Sequence, residues 1–307
     1  MRAVVARRHG GPEVLEPVEI DAPELGGGSV LIRAKAAGVN PVDRHVVAGH
    51  LNSILDVSLP LVPGFDVAGV IEAVGPGVTE FTVGDEVFGY VRTERVRNGT
   101  YAELVAAPVH TLARKPASLS WQQAAGLPLV GLTALQSLSS VGARSEETVL
   151  VHAAAGGVGS VAVQIAVARG ARVIGTASER NHEFLRSLGA EPVIYGDGLA
   201  ERVRELAPEG VDAAVDCVGG DAVAVSQELL KDPSRVASIV DPDVTRRGGH
   251  QVWTQPVPSD LAALAGLVDA GKLTVHIDRV LPLAGAADAF RLSETGRVRG
   301  KIVLDIG

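Results

Sequence analysis

A turn of small residues at positions 153–159 has the composition of a phosphate cradle. The apolar run 149–153 leads into it, and the uncharged, helix-compatible run 160–168 follows it. A strand, a glycine turn and a helix N-terminus in this order bind a pyrophosphate, because glycine lets the backbone come close and the first helical N–H groups are free to donate. The segment therefore predicts a dinucleotide site.

The turn fits the dinucleotide fingerprint in two registers. One is a G-x-G-x-x-A pattern that begins at Gly157 and ends at Ala162. The other has alanine in the first position and ends at Gly159. The predicted cofactor contacts are Ala154, Gly156, Gly157, Val158 and Gly159. A glycine-rich loop that only joins two core elements is the alternative interpretation, and the flanking strand and helix favour the nucleotide.

The next predicted strand, 172–177, has hydroxyl groups rather than a carboxylate at its tip. In NAD sites a carboxylate about 20 residues beyond the glycines binds the adenosine ribose. Here Ser178 and Arg180 follow the strand instead, and a hydroxyl with a guanidinium suits a 2′-phosphate. These residues predict NADPH in preference to NADH. Glu179 leaves some use of NADH open, and a solvated helix residue is the alternative interpretation of Arg180.

Composition places the chain among ordinary globular proteins. Its 307 residues predict two domains, since a single core seldom grows beyond about 250–300 residues. The net charge is −8 with both signs interspersed, which argues against a nucleic-acid partner or an anionic membrane surface. The single cysteine, Cys217, excludes an intramolecular disulfide and suits a reducing cytoplasm. Residues 148–168 lack formal charge and could imitate a membrane span, but Gly156 and His152 favour the phosphate turn.

The pattern of elements changes near residue 120. Residues 1–120 predict short strands separated by glycine and proline turns, which suggests a partly closed antiparallel barrel. Strands then alternate with helices, which predicts a doubly wound parallel α/β sheet of the Rossmann type. The predicted strands are 149–153, 172–177, 192–195, 211–216 and 235–240. A helix near 259–270 and a strand at 301–305 complete the chain, and we expect this last strand to return to the N-terminal barrel.

Several motifs occur in an order and spacing that are specific as a set. They are residues 37–43 (AGVNPVD), 63–77 (PGFDVAGVIEAVGPG), 83–89 (VGDEVFG), 126–134 (GLPLVGLTA), 153–159 (AAAGGVG), 184–190 (FLRSLGA) and 300–304 (GKIVL). With them the chain resembles, nearly end to end, the zinc-independent quinone oxidoreductase group of the medium-chain dehydrogenase/reductases. The resemblance implies a GroES-like catalytic domain at 1–120 and 258–307, a Rossmann domain at 121–257, and a homodimer formed through edge strands of the nucleotide-binding sheet.

The resemblance also implies roles for individual residues. The amide of Asn40 faces the nicotinamide and the substrate, although an Asn-Pro turn is the alternative interpretation. His45 replaces a tyrosine of many quinone reductases and either donates a proton or lies at the surface. His50 replaces another such tyrosine, and Asp43 caps or orients the segment.

Further residues are assigned to the cofactor through the same resemblance. Thr133 matches a threonine at the nicotinamide end, with packing inside a helix as the alternative. Tyr195 matches the aromatic residue that flanks the 2′-phosphate, although the family usually has it one residue later, where Gly196 stands. Val218 passes beneath the cofactor, and Lys301 of the last motif is assigned to the cofactor as well.

Two substitutions decide the predicted chemistry. Zinc members of the superfamily have a cysteine near Val39 and a histidine at the position of Phe65, and neither residue here can bind zinc. Without a Lewis acid the hydroxyl of an alcohol is not activated. A quinone or an enone needs only hydrogen-bond donors at its oxygen while hydride adds to carbon. We therefore predict metal-free reduction of a conjugated carbonyl.

Three functions are compatible with the sequence. The first is an NADPH-dependent reductase of small quinones or α,β-unsaturated carbonyls. The second is a stand-alone enoyl-thioester reductase of polyketide or fatty-acid type, which uses the same hydride chemistry on a carrier-bound substrate. The third is a non-enzymatic NADPH-binding protein. The glycine turn together with Asn40 and Thr133 favours catalysis.

Overall fold

The computed structural model describes residues 1–93 and 95–307. These residues form two compact units. Unit 1 consists of Met1–Leu129, Pro256–Asp269 and Val275–Gly307, and unit 2 consists of Val130–Gln255 and Ala270–Thr274. The domain limits expected from the resemblance, at residues 120 and 257, stay a prediction.

Strands and helices are numbered in chain order. The strands are β1 Arg2–Ala6, β2 Leu15–Glu19, β3 Ser29–Val39, β4 Asp56–Val62, β5 Asp66–Val74, β6 Glu86–Tyr90, β7 Arg95–Asn98, β8 Leu104–Pro108, β9 Leu112–Arg114, β10 Thr148–Val151, β11 Arg172–Thr176, β12 Ala190–Val193, β13 Ala213–Asp216, β14 Val236–Ser238, β15 His250–Gln251, β16 Ile277–Pro282 and β17 Lys301–Asp305. The α-helices are α1 Pro41–Val47, α2 Trp121–Gly126, α3 Pro128–Ser140, α4 Gly157–Ala168, α5 His182–Ser187, α6 Leu199–Leu206, α7 Ala222–Leu229, α8 Pro258–Asp269 and α9 Ala286–Glu294.

The larger sheet of unit 1 is built around the long strand β3. Its strand order is β16-β17-β3-β5-β6-β9, and β8 also pairs with β3. The C-terminal strand β17 is antiparallel to β3, with Ile302 opposite Val39, and β5 is antiparallel to β3 on the other side, with Asp66 opposite Gly38. These registers bring the end of β3 and the starts of β5 and β17 together. As the sequence predicted, the last strand returns to the N-terminal sheet.

A second sheet of unit 1 has the order β2-β1-β4-β7. Its β1–β2 and β1–β4 pairs are antiparallel, and its β4–β7 pair is parallel. The apolar side chains of β1 are buried from Ala3 to Ala6. The segment after β7 places Tyr101, which is fully buried, in the interior of the unit.

Unit 2 has the parallel sheet that the alternation of strands and helices predicted. Its order is β12-β11-β10-β13-β14-β15, and every pair in it is parallel. This is the strand order of the doubly wound dinucleotide-binding fold. The predicted fold class is therefore confirmed.

The core of unit 2 is made of aliphatic side chains from the sheet and from α6 and α7. Leu150 and Ile174 of the central strands are fully buried, and α6 contributes Leu199 and Val203 from one helical face. Each side chain of this size contributes about 1.5–3 kcal/mol when fully buried. This burial stabilises the sheet from which the loops at its edge extend.

The uncharged segment 148–168 is divided between two elements, strand β10 and helix α4. In the part of the chain that the structure describes, no helix has both the length and the apolar character required to cross a membrane. The predicted strand 192–195 is wrong by two residues, because β12 is Ala190–Val193. The reason is its pairing with β11, in which Ala190 lies opposite Val173, so Tyr195 falls in the following loop.

Gly64 offers a test of packing in unit 1. Its φ is +94°, and a Cβ atom there would overlap the ring of Tyr101. Gly77 has a similar φ of +82° with no atom within 4 Å of such a Cβ. The Gly77→Ala variant therefore measures the cost of the left-handed backbone alone. We expect Gly64→Ala to lower the free energy of unfolding by about 1–3 kcal/mol more than Gly77→Ala, as overpacking does. Equal losses in urea denaturation would contradict this packing argument.

Candidate functional site

Five polar residues form a buried group in unit 1, which we name the Asn40 cluster. Its members are Asn40, Asp43, Asp66, Tyr101 and Lys301. Their exposed fractions are between 0% and 4%. Charged side chains are rarely buried so fully unless they are paired, because they lose their hydration. The charged groups of the cluster therefore require partners inside it.

The ends of three strands position the cluster. Asn40 directly follows β3 and is the N-cap residue of α1, with an extended backbone (φ −128°, ψ 150°). Proline at the next position fits the first turn of a helix. Asp66 is the first residue of β5, and Lys301 is the first residue of β17.

The side-chain amide of Asn40 lies between a cation and an anion. Lys301 Nζ donates to Asn40 Oδ1 at 2.5 Å and to the carbonyl oxygen of Val39 at 2.6 Å. Asn40 Nδ2 donates to Asp66 Oδ2 at 2.9 Å. The second carboxylate oxygen, Asp66 Oδ1, accepts from the backbone N–H of Leu129 at 2.9 Å. Both charged groups are thus anchored to the backbone as well as to the amide.

Asp43 and Tyr101 hold the start of α1. Asp43 Oδ2 accepts from the backbone N–H of Asn40 at 2.8 Å and from the Tyr101 hydroxyl at 2.8 Å. Within the described residues, Asp43 Oδ1 is buried and has no hydrogen-bond partner. Asp43 thus caps the helix that begins next to Asn40.

Burial shifts the pKa values of Asp43, Asp66 and Lys301 in the cluster toward the neutral range. Desolvation raises the pKa of Asp43 to about 7, against the opposing effect of the N–H of Asn40. Desolvation also raises the pKa of Asp66 to about 6, although the charge of Lys301 opposes it. Desolvation lowers the pKa of Lys301. Proton uptake by the two carboxyl groups therefore falls within the range where enzymes are assayed.

His45 makes its hydrogen bond outside the Asn40 cluster. Its Nδ1 lies 3.3 Å from Nδ1 of His50, so one ring donates and the other accepts. The pKa of His45 is lowered by desolvation, and then by the charges of Arg44 and His50. A catalytic role of His45 stays a prediction.

The glycine turn of unit 2 has the geometry of a helix N-terminus that is open to a ligand. Gly156 is the N-cap of α4, with φ −77° and ψ −178°. The N–H groups of Gly157, Val158 and Gly159 belong to the first turn, where a helix has no acceptors of its own. A Cβ on Gly159 would overlap the carbonyl oxygen of Ala153, so this glycine allows close packing of α4. That role matches the third glycine of the fingerprint and favours the register that ends at Gly159.

Thr176 fixes the turn from the neighbouring strand. Its hydroxyl accepts from the N–H of Ala153 at 3.0 Å, and its carbonyl oxygen accepts from the N–H of Ala154 at 2.9 Å. Ala153 has a φ of +51°, which is unusual for a residue with a side chain. Thr176 is 2% exposed, whereas Ser178 is half-buried, so Ser178 is the more accessible hydroxyl of the predicted 2′-phosphate site.

The predicted 2′-phosphate residues lie just beyond β11. Ser178 is half-buried and precedes a short 3₁₀-helix, Glu179–Asn181, whose Asn181 N–H donates to the Ser178 carbonyl oxygen at 2.8 Å. Arg180 is exposed, as is Glu179. Their contact with a cofactor stays a prediction.

Large apolar side chains are exposed beyond the carboxyl ends of the parallel strands. The exposed fractions are 59% for Tyr195 after β12, 60% for Val218 after β13, 50% for Val240 after β14 and 40% for Trp253 after β15. Ligands of open α/β sheets bind at this edge. Exposed apolar surface at this edge is therefore consistent with a bound cofactor.

Two side chains hold these loops in shape. Asp216 Oδ1 accepts from the N–H groups of Val218 and Gly219, each at 2.8 Å, and its Oδ2 accepts from Ser238 at 2.7 Å. Arg202 donates to the carbonyl oxygens of residues 194–197, including that of Tyr195 at 3.5 Å.

Thr133, predicted at the nicotinamide end, is buried in α3 with its Oγ1 at 2.7 Å from Thr254 Oγ1.

Val39 and Phe65 are the residues at which the resemblance predicts the loss of zinc ligands, and neither side chain has a metal-binding atom. Val39 and Phe65 are both buried, with 4% and 3% exposed. Among residues 1–93 and 95–307, no group of three or more His, Cys, Asp or Glu side chains could hold a metal ion.

Sequence reasoning missed four residues that shape these sites. Asp66 and Tyr101 belong to the Asn40 cluster, and Asp216 and Arg202 hold the loops of unit 2. A signal existed only for Asp66, which follows Phe65 in a recognised motif. Lys301 was predicted at the cofactor. Its ammonium group lies in the Asn40 cluster, and a direct cofactor contact stays a prediction.

Both ends of the chain match known families. Residues 26–117 match the family described as the alcohol dehydrogenase GroES-like domain. Residues 188–304 match the family described as zinc-binding dehydrogenase. The second name describes that family, and the zinc independence of this chain stays a prediction.

Relatives that match nearly the whole of this chain are named as oxidoreductases. A chloroplast envelope quinone oxidoreductase homolog of Arabidopsis thaliana is 31% identical, over 96% of this chain and 95% of the relative. The NADPH-dependent alkenal/one oxidoreductase of the same plant is 35% identical, over 99% and 79%. The quinone oxidoreductase structure from Coxiella burnetii superposes with a TM-score of 0.87 at 34% identity, over 100% and 99%. The chain therefore belongs to the medium-chain dehydrogenase/reductase family, in its quinone oxidoreductase-like group.

Proposed function

We propose that the protein is an NADPH-dependent reductase that transfers hydride to quinones or α,β-unsaturated carbonyls without zinc. The observation that carries the proposal is the amide of Asn40, which is held between Lys301 and Asp66. The names of the relatives, a quinone oxidoreductase homolog and an alkenal/one oxidoreductase, support the substrate class.

Unit 2 has the features that NADPH requires. The first turn of α4 offers N–H groups to the pyrophosphate, and the close packing at Gly159 leaves no room for a side chain there. Ser178 and Arg180 would hold the 2′-phosphate, with Tyr195 beside it. Val218 and Thr133 would contact the nicotinamide half. When bound, NADPH supplies the hydride.

Asn40 would act on the substrate oxygen. A side-chain amide nitrogen carries two N–H groups, and Asp66 takes one of them. The second N–H can donate to the oxygen on which negative charge develops as hydride adds to carbon. A donor that is fixed in advance stabilises such charge without reorganisation. The proton that completes the reaction comes from water or from His45.

Two other functions are compatible with the same features. An enoyl-thioester reductase would need the same donor and cofactor, and a comparison of a free enone with the matching acyl-thioester separates it from the proposal. A non-enzymatic NADPH-binding protein would bind the cofactor and reduce neither. The buried Asn40 cluster, in which the amide lies between Lys301 and Asp66, favours an enzyme, because cofactor binding by unit 2 does not require it.

We extend the proposal to assembly and location. Pairing through an edge strand of the unit 2 sheet would give a homodimer, since an open edge has unpaired backbone groups. Light scattering gives the mass that decides this. The single cysteine, Cys217, supports a location in the reducing cytoplasm.

The Arg180→Ala variant tests the cofactor assignment. A charge-assisted contact with the 2′-phosphate contributes about 1–3 kcal/mol. We therefore expect the Kd for NADPH, measured by titration, to rise about 5- to 150-fold, while the Kd for NADH stays unchanged. Arg186→Ala, at an exposed position of α5, is the matched control and should change neither constant. Equal weakening of both cofactors by Arg180→Ala would contradict the assignment.

The Asn40→Ala variant tests the catalytic assignment. Loss of one donor to a developing oxyanion costs about 2.7–4 kcal/mol, so kcat for a quinone or enone should fall about 10²–10³-fold. NADPH affinity should stay unchanged, because the nucleotide binds in unit 2. Rates are measured with a chelator present, since the proposal needs no zinc.

The control for this experiment is Asn52→Ala, which alters an exposed asparagine of the same unit. It should turn over at the wild-type rate. The assignment fails if Asn40→Ala also does so while folded. The metal-free mechanism fails if the chelator abolishes the wild-type activity.

A further inference from the structure

The Asn40 amide has a different charged partner at each end. Its oxygen accepts from the ammonium group of Lys301 at 2.5 Å, and its nitrogen donates to the carboxylate of Asp66 at 2.9 Å. Hydrogen bonds to ionised partners are about twice as strong as neutral ones. An amide turned by 180° would direct its oxygen at the carboxylate and its N–H groups at the ammonium. Both contacts would then be repulsive, so one orientation is strongly preferred.

Both charged partners are themselves fixed. Lys301 also donates to the Val39 carbonyl oxygen at 2.6 Å, and Asp66 also accepts from the Leu129 N–H at 2.9 Å. All three side chains are at least 96% buried, with exposed fractions of 2% for Asn40, 0% for Asp66 and 4% for Lys301. Neither partner can follow a rotating amide without breaking a backbone contact.

The ammonium group of Lys301 also polarises the Asn40 amide. A cation at the oxygen draws electron density from the nitrogen, and hydrogen bonds in a chain strengthen one another at low local dielectric. The second N–H of Asn40 thereby becomes a better donor. Lys301 and Asp66 carry opposite charges on the two sides of the amide, so this gain does not require an isolated buried charge.

We propose that Lys301 and Asp66 are positioning residues that fix the orientation of the Asn40 amide, and that Lys301 polarises the second N–H of this amide toward the substrate oxygen. The inference rests on the proposed function, because it takes Asn40 to be the donor. It gives Lys301 a role in unit 1 that does not depend on a contact with the cofactor.

The first test is a double-mutant cycle. Lys301→Met removes the ammonium and keeps a side chain of similar length. We expect kcat for an enone to fall about tenfold, which is less than the about 10²–10³-fold for loss of a donor itself, with little change in KM or in the Kd for NADPH. Because Lys301 acts through Asn40, the double variant Lys301→Met/Asn40→Ala should be no slower than Asn40→Ala alone. Multiplying losses would overturn the proposal.

The second test uses pH and does not depend on the folding of the lysine variant. Asp66 faces Lys301 from β17 and Asp43 from α1, and its charge also acts on Tyr90 and Tyr101. Protonation of Asp66, whose pKa is raised to about 6, removes the anion that holds the Asn40 nitrogen. The wild-type rate should therefore decrease as the pH falls through about 6.

Two amide variants identify the group responsible. Asp66→Asn should lose this acidic limb and should be slow at every pH. Asp43→Asn should keep the limb, because its amide oxygen can still accept from the Asn40 N–H and from Tyr101. A limb that survives Asp66→Asn would overturn the proposal. If Lys301→Met and Asp66→Asn are both as fast as wild type while Asn40→Ala is slow, the inference fails and the proposed function stands. If Asn40→Ala is fast as well, the assignment of Asn40 as the donor fails with it, and the proposed function itself fails only if the wild type reduces neither quinones nor enones.

Discussion

Lys301 carries an ammonium group into the interior of unit 1, where only 4% of the residue is exposed. A buried cation without partners would cost several kcal/mol, so the surrounding chain must supply acceptors. The carbonyl oxygen of Val39 and the amide oxygen of Asn40 accept from the ammonium group. Asp66 supplies a negative charge on the other side of the amide, where it accepts from the Asn40 nitrogen. These contacts join the start of β17, the end of β3 and the start of β5. The hydrogen bonds that compensate for the burial of the Lys301 ammonium also fix the orientation of the Asn40 amide.

Unit 2 depends on a constraint of a different kind. Its turn at residues 153–159 must bring α4 close to the sheet and leave N–H groups open at the helix start. Gly159 meets the first condition because it has no Cβ, and Thr176 holds the turn through two backbone N–H groups. Asp216 similarly holds the loops that follow β13 and β14. The loops at this edge are therefore set by buried polar contacts, while their apolar side chains remain exposed.

Local patterns allowed much of this fold to be predicted. The glycine turn at 153–159 and the alternation of strands and helices identified the doubly wound sheet, because both signals lie within short stretches of sequence. The end of β12 was misplaced, since its bounds are set by pairing with β11 and not by its own composition. Tyr195 was consequently assigned to a strand although it lies in a loop.

The Asn40 cluster could be predicted only in part. The Asn40–Asp43 contact spans three residues, and a helix cap of this kind is readable from sequence. Asn40 is separated from Asp66 by 26 positions and from Lys301 by 261. Contacts over such distances follow from strand register, which no local pattern records. The contact between Lys301 and Asn40 was therefore not predicted, and Tyr101, 58 positions from Asp43, gave no signal.

The carbon that receives the hydride tests the central claim most directly. The enzyme is supplied with an enone and with NADPH that carries deuterium at both C4 positions, and the product is examined by NMR. Conjugate addition of hydride, with the negative charge developing on the substrate oxygen, predicts deuterium on the β-carbon of a saturated ketone. Deuterium on the carbonyl carbon of an allylic alcohol would contradict the account, because the carbonyl group itself would then be the hydride acceptor.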